Sequence, residues 1–210
     1  MRLTKKHLIA IFSLSVCFAT SARTADVSPV DSQNCDSQPR YTNQSQDEWW
    51  CGGKRHRADG PALVKRHPVT GNVTSEEWYR DGERHRTDGP AIIERHPVTG
   101  NVTREKWYRD GERHRADGPA VTERGASTGK VIRETWYLND ERHRADGPAI
   151  IWRDVATGNV MCEEYYFDGK MHRADGPAFI LRDPETGAVT REERYLDGKL
   201  QRAGGPVPAP

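Results

Sequence analysis

The chain of 210 residues is strongly polar, with 34% hydrophobic residues, 30% charged residues and a formal net charge of +1. This balance does not give the basic surface that binding to nucleic acid or to an anionic membrane requires. So few apolar residues also argue against one thick globular core and favour thin layers of structure.

The first 22 residues have the features of a secretory signal peptide. Arg2, Lys5 and Lys6 precede an apolar run, Leu8 to Ala19, that is too short to span a bilayer. Small residues follow it and offer a cleavage site, and a membrane anchor is the alternative. We therefore expect residues 1–22 to be removed and the protein to be secreted or periplasmic.

The cysteines fit an exported protein, because export permits disulfides. Cys17 would leave with the signal peptide. Cys35 and Cys51 lie in and just after a polar leader or N-terminal cap at 23–46. A bridge between them is a hypothesis, and its loop would contribute about 3 kcal/mol. Cys162 would then be unpaired, and the cysteine spacing does not indicate a zinc site.

Residues 47–206 form an array of six copies of a 29-residue unit without insertion or deletion, followed by a tail at 207–210. A unit this short does not bury its apolar face alone, so neighbouring copies must stack. In the last copy Gln201 replaces a repeated histidine and Gly204 a repeated aspartate, as expected at the edge of an array. The repeated turn motif contains the residues His56, Asp59, His85, Asp88, His114, Asp117, His143, Asp146, His172 and Asp175.

Each copy is predicted to form β-hairpins. In one copy, residues 76–80 are short, aromatic and extended in character, and Asp81-Gly82 ends them with a strong turn signal. After a second Asp-Gly pair, residues 91–95 form the next strand, and a Thr-Gly-Asn turn leads to the strand 102–108. No stretch shows a sustained helical period. The prediction is all-β: an elongated array of antiparallel hairpins forming a single-layer twisted sheet.

Placing Gly71 at the centre of its turn predicts which residues face each other. Val64 would oppose Trp78, and Leu63 would oppose Tyr79 on the other face. Opposite charges and aromatic or β-branched pairs across strands contribute about 0.2–1 kcal/mol each. The same arithmetic predicts the ion pairs Arg66–Glu76, Arg95–Glu105, Arg124–Glu134, Arg153–Glu163 and Arg182–Glu192.

Two columns of the array are candidates for chemistry. Histidines in one register could bind a metal ion or, when protonated, an anion. We favour a structural role, in which each histidine anchors its own tight turn through the backbone or the nearby aspartate. An aromatic column could stack glycans, but we favour its packing against the opposing Val, Ile or Thr. Its members are Trp78, Trp107, Trp136 and Tyr165.

The run from Trp78 to His85, Trp-Tyr-Arg-Asp-Gly-Glu-Arg-His, is followed by Asp-Gly-Pro-Ala and resembles the MORN repeat. The unit is longer than usual, and arginine (Arg57, Arg86, Arg115) stands where glycine normally follows the histidine. The chain is therefore more similar to the MORN-variant repeats of bacteria, some of which are antitoxin-like proteins. The resemblance implies a row of β-hairpins with a scaffolding or protein-binding role and no catalytic residue.

The residues and the resemblance together predict an exported, non-enzymatic β-repeat protein that offers a surface to another protein. No nucleophile elbow, phosphate-binding loop or zinc-protease motif occurs, so we expect no enzyme activity, cofactor or bound metal. The alternatives are a module that binds glycans or lipid headgroups at a membrane surface, and an immunity or antitoxin-like partner of a secreted toxin.

Overall fold

The computed structural model of the protein describes residues 35–36, 38–43 and 45–201. The predicted signal peptide, most of the predicted leader and the tail at 207–210 lie outside these residues. The described part contains 23 β-strands and no helix, so it has no helix that could cross a membrane. The predicted all-β fold, an elongated sheet built from hairpins, is confirmed.

The main structure is one antiparallel sheet of 13 strands. Their order in the sheet follows the chain, except that every second pair of strands belongs to a separate short hairpin. Strands are numbered along the chain. Those of the main sheet are, in sheet order, β1 (Tyr41–Asn43), β2 (Gln46–Glu48), β5 (Leu63–Arg66), β6 (Val73–Glu77), β9 (Ile92–Arg95), β10 (Val102–Lys106), β13 (Val121–Arg124), β14 (Val131–Thr135), β17 (Ile150–Arg153), β18 (Val160–Glu164), β21 (Phe179–Arg182), β22 (Val189–Leu196) and β23 (Lys199–Gln201).

The strands left out form short two-stranded hairpins, one at the start of each complete copy. Asp81 and Gly82 both have positive φ (52° and 89°), as a type I′ hairpin turn requires. The Gly82 backbone N–H donates to the Arg55 carbonyl at 2.9 Å, so successive short hairpins are joined. The pairs are β3 (Trp50–Cys51) with β4 (Lys54–Arg55), β7 (Tyr79–Arg80) with β8 (Glu83–Arg84), β11 (Tyr108–Arg109) with β12 (Glu112–Arg113), β15 (Tyr137–Leu138) with β16 (Glu141–Arg142), and β19 (Tyr166–Phe167) with β20 (Lys170–Met171).

We count copies from the residue that precedes each short hairpin: copy 1 begins at Trp49, copy 2 at Trp78, copy 3 at Trp107, copy 4 at Trp136, copy 5 at Tyr165 and the incomplete copy 6 at Arg194.

The buried core is thin and centres on the alanine of the Gly-Pro-Ala segment. That alanine has no exposed surface in any of the five complete copies. In copy 2 its carbonyl accepts a hydrogen bond from the backbone N–H of Trp78 at 2.8 Å, which joins the short hairpin to the main sheet. A larger side chain would have to displace packed backbone. The five residues are Ala62, Ala91, Ala120, Ala149 and Ala178.

The predicted register of the long hairpins, each formed by two main-sheet strands that follow one another in the chain, such as β5 and β6, is wrong. Val64 lies opposite Glu76 rather than Trp78, and Arg66 lies opposite Val73 rather than Glu76. Leu63 faces Glu77, so its predicted contact with Tyr79 is also wrong. The same register recurs in the other long hairpins.

The shape of the loop explains this difference. His67 and Asn72 close a four-residue loop, in which the His67 N–H donates to the Asn72 carbonyl at 2.8 Å. Gly71, with φ of 74°, is the last residue of that loop and not its centre. A β-bulge then leaves Thr74 without a partner in the strand β5, which shifts every later pair.

The arginines and glutamates of the predicted ion pairs do form salt bridges, but between copies. Each arginine bonds the carboxylate that precedes its predicted partner by one copy, so the predicted pairs Arg66–Glu76, Arg95–Glu105, Arg124–Glu134, Arg153–Glu163 and Arg182–Glu192 are wrong. The observed pairs are Arg66–Asp47 at 2.7 Å, Arg95–Glu76 at 3.2 Å, Arg124–Glu105 at 3.3 Å, Arg153–Glu134 at 3.3 Å and Arg182–Glu163 at 3.1 Å.

The loops at the ends of the long hairpins also join neighbouring copies, because the loops of copies 1 and 4 each bond to the loop of the following copy. Thr70 Oγ1 and Asn72 Nδ2 of copy 1 both donate to the Pro97 carbonyl of copy 2, at 3.2 and 2.9 Å. Thr157 and Asn159 of copy 4 donate in the same way to the Pro184 carbonyl of copy 5. Neighbouring copies are therefore held together at the loops as well as along the strands.

The observed register predicts which charge exchange is tolerated. Arg95→Glu should lower the stability by about 1 kcal/mol, because it places a carboxylate beside Glu76. Adding Glu76→Arg should restore most of this loss, whereas adding Glu105→Arg should not. The measurement is thermal unfolding, in which about 1 kcal/mol corresponds to a few degrees in Tm. Equal rescue by Glu105→Arg would contradict the observed pairing.

Candidate functional site

Each complete copy holds an arginine stacked on an aromatic ring. In copy 2 the guanidinium carbon of Arg86 lies 4.0 Å from the centre of the Trp78 ring. Its Nε donates to Asp88 Oδ1 at 2.9 Å, and Nη1 donates to the Pro90 carbonyl at 3.4 Å. The ring is therefore covered on one side by a fixed cation. The equivalent stacks are Arg57 on Trp49, Arg115 on Trp107, Arg144 on Trp136 and Arg173 on Tyr165, at 4.1 to 4.2 Å.

The glycine of the Asp-Gly-Pro segment makes room for this arginine. A Cβ atom at Gly89 would lie 2.9 Å from the guanidinium carbon of Arg86, closer than real Cβ contacts allow. Glycine is required at this position because the arginine comes so close to it. The same contact recurs at Gly60, Gly118, Gly147 and Gly176. The arginine that follows each repeated histidine therefore lies between an aromatic ring and a glycine, an arrangement that was not predicted from the sequence.

The repeated aspartates bind these arginines. Asp88 is highly exposed, and the hydrogen bond and positive charge of Arg86 lower its pKa below the ordinary value. The carboxylate fixes the guanidinium over the ring, which gives the aspartate a structural role. The pKa values of Asp59, Asp117, Asp146 and Asp175 are lowered by the same cause.

The repeated histidines contact the next copy. His56 Nδ1 lies 3.0 Å from Asp81 Oδ1 and accepts a hydrogen bond from the Asp81 backbone N–H at 3.1 Å. The prediction that each histidine anchors its own turn is therefore wrong, since the turn belongs to the following copy. The equivalent contacts are His85 to Asp110, His114 to Asn139, His143 to Asp168 and His172 to Asp197, at 2.8 to 2.9 Å.

Grooves lie between successive turn segments. One, of about 710 Å³, is bordered by His56 to Pro61 of copy 1 and by Trp78 to Arg80 and His85 to Asp88 of copy 2. Another, of about 620 Å³, lies between copies 3 and 4 and includes Leu138. The charged groups in their walls are the repeated arginines, aspartates and histidines, which already have the partners described above, and Arg80, which forms a salt bridge with Asp110. Across the described residues, no three His, Cys, Asp or Glu side chains converge on a metal site.

One face of the sheet differs from copy to copy, and we call it the variable face. Its central row contains residues that face each other across the main-sheet strands. In the first three copies this row is polar and mostly charged: Arg104 lies 3.4 Å from Glu94 and 3.2 Å from Glu123. Its full membership is Lys65, Ser75, Glu94, Arg104, Glu123, Arg133, Trp152, Cys162, Leu181 and Arg191.

The central row becomes apolar from Trp152 in copy 4 to Leu181 in copy 5 and is charged again at Arg191. Cys162 lies between Trp152 and Leu181 across three neighbouring strands, and we call these three residues the apolar patch. Trp152 is 36% and Leu181 37% exposed. The guanidinium of Arg133 stacks 4.3 Å from the centre of the Trp152 ring and borders the patch on one side. Copy 2 has glutamate and copy 1 lysine where Trp152 and Leu181 stand.

The cysteines take two forms. Cys35 and Cys51 are joined by a disulfide, in agreement with the hypothesis from the sequence. Cys162 is a free thiol, and its burial and the charges of Glu164 and Glu163 raise its pKa to about 11. It is therefore protonated at neutral pH and a weak nucleophile.

Comparison of the chain with protein-family models and with curated proteins gives no match.

The arginine–glycine contact predicts a coupled pair of substitutions. Gly89→Ala should destabilise the protein by about 1–2 kcal/mol, because the new methyl group displaces the Arg86 guanidinium from Trp78 and Asp88. In a chain that already carries Arg86→Ala, the same substitution should cost much less. Thermal unfolding of the four chains measures the coupling. Additive losses would show that Gly89 is required for another reason.

Acid should weaken the array through the repeated aspartates. Their pKa values are lowered in the folded protein, so their contribution is complete above the ordinary value of about 3.9 and is lost as the pH falls through the lower folded value. An Asp88→Asn, Asp117→Asn double variant should therefore have a lower Tm at pH 7 and a smaller fall in Tm between pH 5 and pH 2. Glu185→Gln, in an exposed loop, is the matched control, and an equal acid slope in all three chains would contradict this role.

Proposed function

We propose that the protein is an exported, non-enzymatic scaffold of the MORN-like type that binds another protein through its variable face. The chain would be delivered to the periplasm or the cell exterior by residues 1–22. Once outside, the array would present a row of side chains that changes from charged to apolar along its length.

The observation that carries this proposal is that the repeated residues of each copy contact one another, whereas the central row of the variable face changes between copies. The residues that recur in every complete copy are engaged inside the array: the arginine on its ring, the aspartate on the arginine and the histidine on the next turn. The central row of the variable face, in contrast, changes from copy to copy, for example from Glu94 to Trp152. A surface that differs along a constant frame is suited to recognition of one partner.

The apolar patch supports the choice of a protein as the partner. Interface cores are enriched in aromatic residues and arginine and depleted in other charges. Trp152, with Arg133 stacked on it and Leu181 two strands away, has this composition. The charged part of the variable face would form the polar rim of such an interface.

The disulfide supports export. A bond between Cys35 and Cys51 persists in oxidising compartments and is rare in the cytosol. The apolar run ahead of it has the length and the flanking charges of a signal peptide.

Glycan binding is the second candidate, and the aromatic column is the feature that favours it. One side of each ring in that column is already covered by an arginine, as Trp107 is by Arg115 at 4.1 Å. Stacking of a sugar would have to use the other side. A glycan array with the wild type and a Trp107→Ala variant would detect such binding.

The proposal can be tested by photo-crosslinking in the native host. A benzophenone amino acid placed at position 152 should capture one defined protein, and Leu181→Asp in the same chain should reduce that product at least fivefold. The same probe at position 69, where Val69 is 87% exposed in a loop, is the matched control and should not capture it. Capture of the same proteins from both positions, or no defined product from position 152, would contradict the proposal.

A further inference from the structure

Among the described residues, the C-terminal edge of the sheet is open on one side. Inner strands such as β18 pair with a neighbour on each side, β17 and β21. The first part of β22, Val189 to Glu193, pairs with β21 alone, and β23 covers only Arg194 to Leu196. No other strand of the described part of the chain lies along this edge.

The same edge carries a carboxylate, Glu192, that has no counterion among the described residues. Glu192 is exposed and stands last in the row of Asp47, Glu76, Glu105, Glu134 and Glu163 on the face opposite the variable face. Each of those five is bonded by an arginine on the following strand. Glu192 forms no ion pair with any described residue.

Equivalent positions inside the array show which strand sequence pairs beside such a carboxylate. Opposite Glu163 in the next strand stands Ile180, and Arg182, two residues further on, bonds the carboxylate. The spacing is a β-branched residue, one intervening residue and arginine. The other copies use the same pattern: Val64-x-Arg66, Ile93-x-Arg95, Thr122-x-Arg124 and Ile151-x-Arg153.

The chain's own continuation does not carry this pattern. In the 29-residue register, Ala209 occupies the β-branched position, and Pro208 and Pro210 stand on either side of it. Proline has no N–H to donate to a sheet, and alanine leaves the apolar position nearly empty. The edge is thus better matched by a different strand.

We propose that the open edge of β22 is a docking site for an extended segment of a partner protein, which adds to the sheet as an antiparallel strand. The segment would carry a β-branched residue, any residue and arginine, with the arginine on Glu192. Backbone hydrogen bonds would supply affinity and the ion pair would fix the register. This inference rests on the proposed protein-binding function but uses a surface separate from the variable face.

A synthetic strand of known sequence tests this without knowledge of the partner. A fluorescein-labelled peptide with the sequence of residues 89–96, Gly-Pro-Ala-Ile-Ile-Glu-Arg-His, contains the pattern. Its fluorescence anisotropy should rise with added full-length protein and saturate. Changing its arginine to glutamate should weaken binding about tenfold, the effect of losing one charge-assisted hydrogen bond of roughly 1.4 kcal/mol.

Two controls separate docking at this edge from general adhesion. The protein variant Glu192→Arg should bind the original peptide about tenfold more weakly and should regain affinity for the glutamate peptide. Glu185→Gln, a carboxylate change in the loop before β22 and outside the proposed strand pairing, should leave both affinities unchanged. N-methylation of the peptide at its second isoleucine should abolish binding. In β9 the carbonyl of Ala91 faces the preceding strand, and the N–H two residues later points to the same side. A peptide docked in the same way would therefore direct the N–H of its second isoleucine toward the edge of β22.

Absence of saturable binding, or equal binding of both peptides to both chains, would overturn the proposal. So would concentration-dependent dimerisation of the wild type that Glu192→Arg removes, since a second copy would then occupy the edge. Hydrogen exchange should show protection of Arg191 to Arg194 by the peptide if the edge is the site. The crosslinking yield from position 152 reports on the variable face alone, so failure of one proposal is distinguishable from failure of the other.

Discussion

The contacts that cross from one copy to the next are what the rest of the structure depends on. They run along three lines: a carboxylate to an arginine in the strands, a histidine to a turn in the short hairpins, and threonine and asparagine to a carbonyl in the loops. Glu76 with Arg95, His56 with Asp81 and Asn72 with Pro97 represent them. A single inserted residue would misalign at least one of these lines, which gives a physical reason for the constant length of 29 residues.

Within a copy, the aromatic ring, the arginine and the glycine hold the short hairpin and the turn segment in one arrangement. The ring of Trp78 carries the cation of Arg86, and Asp88 orients it. Polar side chains thus perform the packing that apolar side chains perform in a thicker domain, which is how a chain with 34% hydrophobic residues keeps an ordered fold. The frame is constant, and the variable face remains free to differ between copies.

The sequence was sufficient for the hairpins, because turn signals such as Asp81-Gly82 act locally, and for the disulfide between Cys35 and Cys51. It was insufficient for the register, because the loop closes between His67 and Asn72 rather than around Gly71 and a bulge at Thr74 then shifts the later pairs, and neither feature leaves a composition signal. The partner of each histidine was also missed, since it lies 25 residues away in the next copy. The arginine–ring–glycine contact could have been inferred from the joint recurrence of the three residue types, but a strict repeat makes every residue recur and so hides which ones touch.

The two ends of the array are unlike each other, and this bears on where the protein opens. At one end Cys51, in the first short hairpin, is tied covalently to Cys35. At the other end, Val189 to Glu193 of β22 pair with β21 alone among the described strands. In a structure whose copies contact only their neighbours, opening begins at an end and proceeds copy by copy. The disulfide holds the N-terminal end closed, so unfolding of the array should begin at its C-terminal end and proceed toward the disulfide.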